Sequence, residues 1–316
     1  KFNIDVVDFT IHTHIDNTIL SKILVERREQ GVYEVDGIIV TDNKPHIRLK
    51  DKYPTHSKAF KMVLDDQTAE VTVLGVHWEP SMYGLLNPVV SVSSVYLDGA
   101  NISKTTGYNA KFIINNDIGG VIGPGAVVKL TRSGGVIPKI LKVVKPYAGD
   151  KLDCLPPENI YMGGYSWTDT HVDIKLNNPE LNQVVKLKRI EHFFSELKTP
   201  YFKTGIIKRV VLAGYNTISK ILNMTYDDII KLDGMKDTLA LKIIESIQNS
   251  YNQSSLVDIM SGSFVFGKGF GKKRIKRILD NIPTLLEYDV LNTDIYHTLY
   301  NQMLPINGFN EKTISC

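Results

Sequence analysis

The stretch Tyr33-Glu34-Val35-Asp36-Gly37-Ile38-Ile39-Val40, followed by Asp42-Asn43-Lys44-Pro45, decides how the chain is read. A β-branched run ending in turn formers predicts a strand that passes into a loop. Period-2 alternation puts Glu34 and Asp36 on one face, about 7 Å apart at roughly 3.3 Å per residue. Ile38 and Val40 continue that face, so two carboxylates close an otherwise apolar stripe. A carboxylate taken out of water needs a cation or donors around it, which makes a metal–nucleotide site one reading of the pair. A strand end carrying two solvated acids is the other.

Outward from this strand, Arg28 stands eight residues before Asp36, and Lys61 closes the run Ser57-Lys58-Ala59-Phe60-Lys61. Asn87-Pro88-Val89, Ile102-Ser103-Lys104-Thr105-Thr106 and Arg132-Ser133-Gly134-Gly135-Val136-Ile137-Pro138 follow. In its order and spacing, the set resembles the later motifs of NAD-dependent DNA ligases. That resemblance implies an enzyme that seals 5′-phosphate/3′-hydroxyl nicks in duplex DNA through an AMP intermediate, using NAD and Mg²⁺. It implies that Lys61 and Arg28 meet the nucleotide, that Asp36 and Glu34 are the acidic members of the site, and that Asp36 holds the Mg²⁺.

The chain also departs from that family. Thr41 replaces a lysine that contacts the nucleotide phosphate, and Met82-Tyr83-Gly84 stands where the family has Arg-Thr-Gly. The family's nucleophilic lysine lies in a Lys-x-Asp-Gly motif far upstream of the acidic strand. Lys231-Leu232-Asp233-Gly234 matches those letters, but it follows the strand and sits in a helical repeat, so it is set aside. The expectation is a fragment or divergent member that is not self-sufficient for catalysis. The rival is a non-catalytic DNA-binding protein or repair clamp.

Composition bounds these readings. With 316 residues, 43% of them hydrophobic, the chain can bury more than one core. No apolar run approaches the roughly 18 residues of a membrane helix, and the first residue is Lys, which fits a truncated or processed end. Two cysteines, Cys154 and Cys316, can form neither a disulfide framework nor a zinc site; a reducing, intracellular setting is expected. The net charge of +3 hides local excesses. Residues 186–278 hold 17 Lys and Arg against 8 Asp and Glu, and residues 118–149 carry five basic residues and no acid. Such patches suit a polyanion.

Taken in order, the chain reads as a multidomain α+β protein. Residues 1–66 are too short for a whole nucleotide-binding domain; Asn17–Gln30 has the period of a helix, and the resemblance makes this the end of a nucleotidyltransferase (adenylation) domain. Residues 67–146 are short β-rich runs broken by turn formers, which predict a small barrel; by resemblance it is an OB-fold. Lys104, Lys129, Arg132, Lys139 and Lys142 are its candidate phosphate contacts, with Gly134 in a tight turn beside Arg132. Residues 147–185 form a Pro/Gly/Asn-rich connector where the family has a zinc finger, and Tyr161, Tyr165 and Trp167 are expected to make a metal-free substitute.

From residue 186 to 316 the chain reads as helical, with a repeat. Apolar residues recur five apart at Phe202/Ile207, Met235/Ala240, Phe270/Ile275 and Phe309/Ile314, and Gly234, Gly269 and Gly308 precede the last three pairs. These are marks of helix-hairpin-helix units, whose turns face phosphate through backbone N–H groups. Gly271, Lys272, Lys273 and Arg274 extend the third turn as DNA-binding candidates. The first turn lacks the glycine and is expected to be structural. His192-Phe193, ahead of the repeats, reads as packing.

Overall fold

The computed structural model describes residues 7–32, 35–47, 54–61, 68–97, 99–132, 137–287 and 293–314. They fall into two compact units. One comprises the residues up to Glu79 with Asn87–Pro157 and His171–Asp173; the other comprises Pro80–Leu86, Glu158–Thr170 and the residues from Ile174 onward.

The first unit opens with helix α1 (Asn17–Gln30), capped by the Asp16 carboxylate, which accepts from the Ile19 N–H at 2.8 Å. Strands β1 (Ile38–Thr41) and β2 (Ser57–Phe60) pair antiparallel, with Ile38 opposite Phe60 and Thr41 opposite Ser57. A five-stranded antiparallel sheet follows, from β3 (Thr68–Pro80), β4 (Leu86–Leu97), β5 (Ala100–Thr106), β6 (Val127–Thr131) and β7 (Lys139–Lys145), in the order β5-β4-β3-β6-β7. The short helix α2 (Ala110–Ile114) lies between β5 and β6.

Alternation builds this sheet's core. Val71 and Val73 of β3, Val90 and Val92 of β4, and Val128 and Leu130 of β6 are all buried, each contributing about 1.5–3 kcal/mol of transfer free energy. The edges curl toward each other. The buried Thr105 hydroxyl on β5 donates to the Pro138 carbonyl at the start of β7, at 2.8 Å.

β7 breaks strict alternation, because Ile140 and Val143 both point inward although they are three residues apart. The register explains it: Leu130 faces Ile140 while Lys129 faces Lys142, which leaves Leu141 as an extra, bulged residue. A second shift follows, with Val128 opposite Val143 and Val127 opposite Lys145. Bulges bend a strand and increase its twist, which curls the sheet at this edge.

The second unit contains a β-hairpin, β8 (Tyr165–Trp167) with β9 (Ile174–Leu176). Asn177 secures its base: Nδ2 donates to the Gly163 carbonyl at 2.8 Å, and Oδ1 accepts from the Ser166 hydroxyl at 2.7 Å. Nine helices follow among the described residues: α3 (Gln183–Glu196), α4 (Thr204–Leu212), α5 (Ile218–Leu222), α6 (Tyr226–Ile230), α7 (Asp237–Gln253), α8 (Leu256–Ser263), α9 (Lys272–Asn281), α10 (Thr293–Met303) and α11 (Glu311–Ile314). Phe193, Phe194, Phe202, Ile207, Ile229 and Ile243 pack in the larger core, with Phe194 edge-on to Phe202 at 4.7 Å. A smaller core gathers Ile278, Ile282 and Ile306. His192 meets the Ser261 carbonyl at 3.2 Å, and Gly262 lets α8 approach Phe193, where a Cβ would stand 3.1 Å from Cδ2 of the ring.

Gly119 (φ 124°) and Gly125 (φ 85°) offer a test of the sheet's closure. A Cβ at Gly119 would run into the Val143 carbonyl oxygen of β7, whereas one at Gly125 meets nothing within 4 Å. Gly125→Ala is predicted to cost about 1 kcal/mol, the left-handed penalty alone. Gly119→Ala is predicted to cost at least about 3 kcal/mol, because β7 must also move. Denaturant unfolding of the two variants checks this; equal costs would contradict it.

Candidate functional site

The strand expected from Tyr33 begins only at Ile38; Asp36, just ahead of β1, and Lys61, just after β2, come together at the end of the β1–β2 ladder. α1 carries Arg27 and Arg28 in its last turn. Arg28 reaches past the helix end, where its Nε donates to the Val35 carbonyl at 2.9 Å and its Nη2 to the Asp36 carbonyl at 3.4 Å. The guanidinium therefore fixes the backbone entering β1. One step beyond the Ile38–Phe60 rung, Gly37 lies against Lys61. A Cβ at Gly37 would stand 2.8 Å from the Phe60 carbonyl oxygen and 2.9 Å from Cγ of Lys61, so only hydrogen fits there. The lysine stem crosses this gap and its ammonium ion-pairs with the Asp36 carboxylate.

Both partners remain more than half exposed, at 53% and 58%. Such a pair contributes at most about 1 kcal/mol to stability; its significance is the placement of a cation and an anion together, within reach of a ligand. Glu34 lies outside the described residues. Thr41, at the other end of β1, bonds Ser57 through their hydroxyls at 3.0 Å. Among the described residues, no three metal-ligating side chains gather.

On the sheet, Glu70, Lys129 and Lys142 form one row across β3, β6 and β7. Two lysines directly opposite each other repel, and Glu70 offsets this from one side only. Lys104, Lys139 and Lys142 are exposed, and Arg132 follows β6 directly; Gly134 lies outside the described residues.

The helical unit turns on backbone geometry. Gly234 (φ 70°), Gly269 (φ 100°) and Gly308 (φ 90°) are all left-handed. Tyr201 takes φ 60° at the corresponding place before Phe202, so the first turn keeps the shape without the glycine. Its ring is exposed, with the Lys242 ammonium 5.6 Å from its centroid. A bulky side chain thus stands at the first turn where the other turns have glycine. Gly271 is the N-cap of α9, with open space around it.

The basic run after Gly271 divides into different tasks. The Lys272 ammonium pairs with Asp258 at 2.6 Å and Glu196 at 3.2 Å, and donates to the Glu196 carbonyl at 3.1 Å. It is tied to α3 and α8, which offsets the unfavourable position of a cation at a helix N-terminus. Arg274 donates to the Gly269 carbonyl at 2.8 Å and lies 5.5 Å from the rings of both Phe270 and Phe309. Lys273 is exposed beside them. Which acids face a lysine is a long-range fact, and nothing in the local charge run distinguishes Lys272 from Lys273.

No family model matches the chain. Among curated proteins, it is 38% identical over 315 residues to a DNA ligase of Acanthamoeba polyphaga mimivirus, an alignment that covers 100% of this chain and 47% of that protein. It is 32% identical over 266 residues to putative DNA ligase 052L of Invertebrate iridescent virus 3, covering 84% of this chain and 33% of the relative. It is 29% identical over 295 residues to putative DNA ligase 205R of Invertebrate iridescent virus 6, covering 93% and 43%. The chain thus spans half or less of the length of these relatives.

The Lys272 hydrogen bond, then the Ser255 hydroxyl, holds the Asp258 carboxyl down at about 2, against an ordinary value of 3.8. A carboxyl depressed on folding contributes stability above its unfolded pKa and loses it as pH falls through the folded one. Asp258→Asn is therefore predicted to lower the urea midpoint at pH 5–8, with the gap to wild type closing between pH 4 and pH 2. A gap of constant size across that range would contradict this assignment.

Proposed function

We propose that this chain belongs to a DNA ligase of the NAD-dependent type. On this reading, residues 1–66 are the end of the nucleotidyltransferase domain, 67–146 an OB-fold, 147–185 a connector without zinc, and 186–316 a helix-hairpin-helix DNA-binding region. The observation that carries the reading is the Lys61–Asp36 pair, crossed over Gly37 and braced by Arg28. The ligase names of the viral relatives support the same reaction class. The sheet order and the helix between β5 and β6 support the OB-fold.

NAD supplies the AMP group. Lys61 exchanges Asp36 for a nucleotide phosphate at little cost, since the pair is exposed, and its fixed positive charge offsets the charge that develops there. Asp36 would then be free to help hold a Mg²⁺, whose charge would offset that of the phosphates. Arg28 keeps the strand entry rigid. Duplex DNA is held without regard to sequence by Lys104, Lys129, Arg132, Lys139 and Lys142 of the barrel, and by the turns at Gly234, Gly269, Gly271 and Gly308 with Lys273 beside them. Lys272 and Arg274 serve that surface by shaping it.

In the intact protein, Lys61→Ala is predicted to reduce nick sealing by at least about a hundredfold, the scale of one lost electrostatic contact in a transition state, with DNA affinity changed by less than about twofold. NAD, and not ATP, should form the covalent enzyme–AMP adduct. Near-normal sealing by Lys61→Ala would remove the site; DNA binding without sealing by the wild type would favour a non-catalytic clamp; labelling by ATP alone would replace NAD.

The lysines can be separated by salt dependence. Lys273→Ala should flatten the slope of log affinity against log salt by about 0.9, the value of one phosphate contact. Lys272→Ala should lower stability and leave the slope unchanged. A slope change for Lys272 equal to that for Lys273 would contradict the division.

A further inference from the structure

The four turns of the helical unit align on the apolar residue after the left-handed position: Phe202, Met235, Phe270 and Phe309. In that alignment the first and third turns share a signature that the second and fourth lack. Ile207-Lys208-Arg209 begins five residues after Phe202, and Ile275-Lys276-Arg277 begins five residues after Phe270. Both isoleucines are buried. The two arginines make the same contact. Arg209 of α4 donates through Nη1 to the Asp233 carbonyl at 2.6 Å, one residue before Gly234. Arg277 of α9 donates through Nη1 to the Asn307 carbonyl, one residue before Gly308.

The glycines are matched to these arginines. A Cβ at Gly234 would stand 3.2 Å from Nη1 of Arg209, and one at Gly308 would stand 2.7 Å from Nη1 of Arg277. The positive φ favours glycine at each turn, and the guanidinium lies against the space that a Cβ would press. Arg209 also donates from Nε to the Gly205 carbonyl of its own helix at 3.3 Å, so the planar fork is held at two edges.

We infer that Arg209 and Arg277 are equivalent positioning residues, each set on the second helix of one turn and holding the shape of the next. The second and fourth turns are each held by an arginine from the turn before, whereas at the third turn Gly269 is held by Arg274 of its own second helix. The inference rests on the proposal that these turns face DNA phosphate, and it assigns the two arginines to the turn backbone instead of to the phosphate.

The test compares Arg209→Lys, Arg209→Met, Arg277→Lys and Arg277→Met in the intact protein, bound to a nicked duplex between 50 and 200 mM salt. A pin needs the fork, so lysine should rescue neither site. All four variants should weaken binding by about tenfold, the scale of one lost charge-assisted hydrogen bond, with the salt slope unchanged. Hydrogen exchange should quicken at residues 231–236 in the Arg209 variants and at 304–310 in the Arg277 variants, each without effect on the other turn. Direct phosphate contact predicts the opposite pattern: near-wild-type binding by the lysine variants, a slope lower by about 0.9 in the methionine variants, and unchanged exchange. That pattern would overturn the inference. If the wild type shows no salt-dependent affinity for DNA, the DNA reading falls, while the exchange measurement alone still decides whether the arginines pin the turns.

Discussion

Backbone turned into the left-handed region is the constraint on which both units depend. Gly119 takes that conformation against β7, where a side chain would strike the Val143 carbonyl. Gly234, Gly269 and Gly308 take it between helices, each with an arginine Nη1 lying against the place a Cβ would fill. Tyr201 takes it without glycine's freedom, a strain of the order of 1–2 kcal/mol that the packed aromatic core around Phe202 sustains. The first turn thus keeps the geometry of the repeat with its approach covered by a ring, which separates its structural contribution from that of the other three.

The candidate site in the first unit follows from a related economy of space. Gly37 has no side chain, so Lys61 can lie across the strand end and meet Asp36. The pair is a weak stabiliser because water reaches both partners. For the same reason it can exchange partners readily, as the proposed nucleotide site requires. Arg28 differs: its fork is directed at backbone carbonyls, and it holds the loop in which Asp36 sits.

Much of this was legible in the amino-acid sequence, wherever local chemistry decides the structure. The period of Asn17–Gln30 gives α1, and the short β-rich runs after residue 67, read as a small barrel, correspond to the strands of the five-stranded sheet. The proximity of Asp36 and Lys61 was not a matter of periodicity; it depends on the rung between Ile38 and Phe60 and came only through motif resemblance. Ile140 and Val143 both lie inward, and their spacing of three makes sense only once Leu141 is seen as a bulge. Lys272 read as one more phosphate contact in a basic run, because its partners Glu196 and Asp258 are distant in sequence. The roles of Arg209 and Arg277 were visible in principle as a repeated Ile-Lys-Arg, yet a repeat says nothing of which carbonyl a guanidinium finds.

The proposed role of the lysine–aspartate pair over Gly37 is to act on a nucleotide phosphate during sealing. The most direct test is single-turnover closure of a nick already carrying a 5′-adenylate, by the intact protein with Gly37→Ala, in the absence of NAD. An added methyl displaces Lys61 from its crossing and leaves its charge in place. Sealing is expected to slow by about a hundredfold or more, with affinity for the adenylylated nick unchanged. Sealing at the wild-type rate would mean that the reacting phosphate is handled elsewhere.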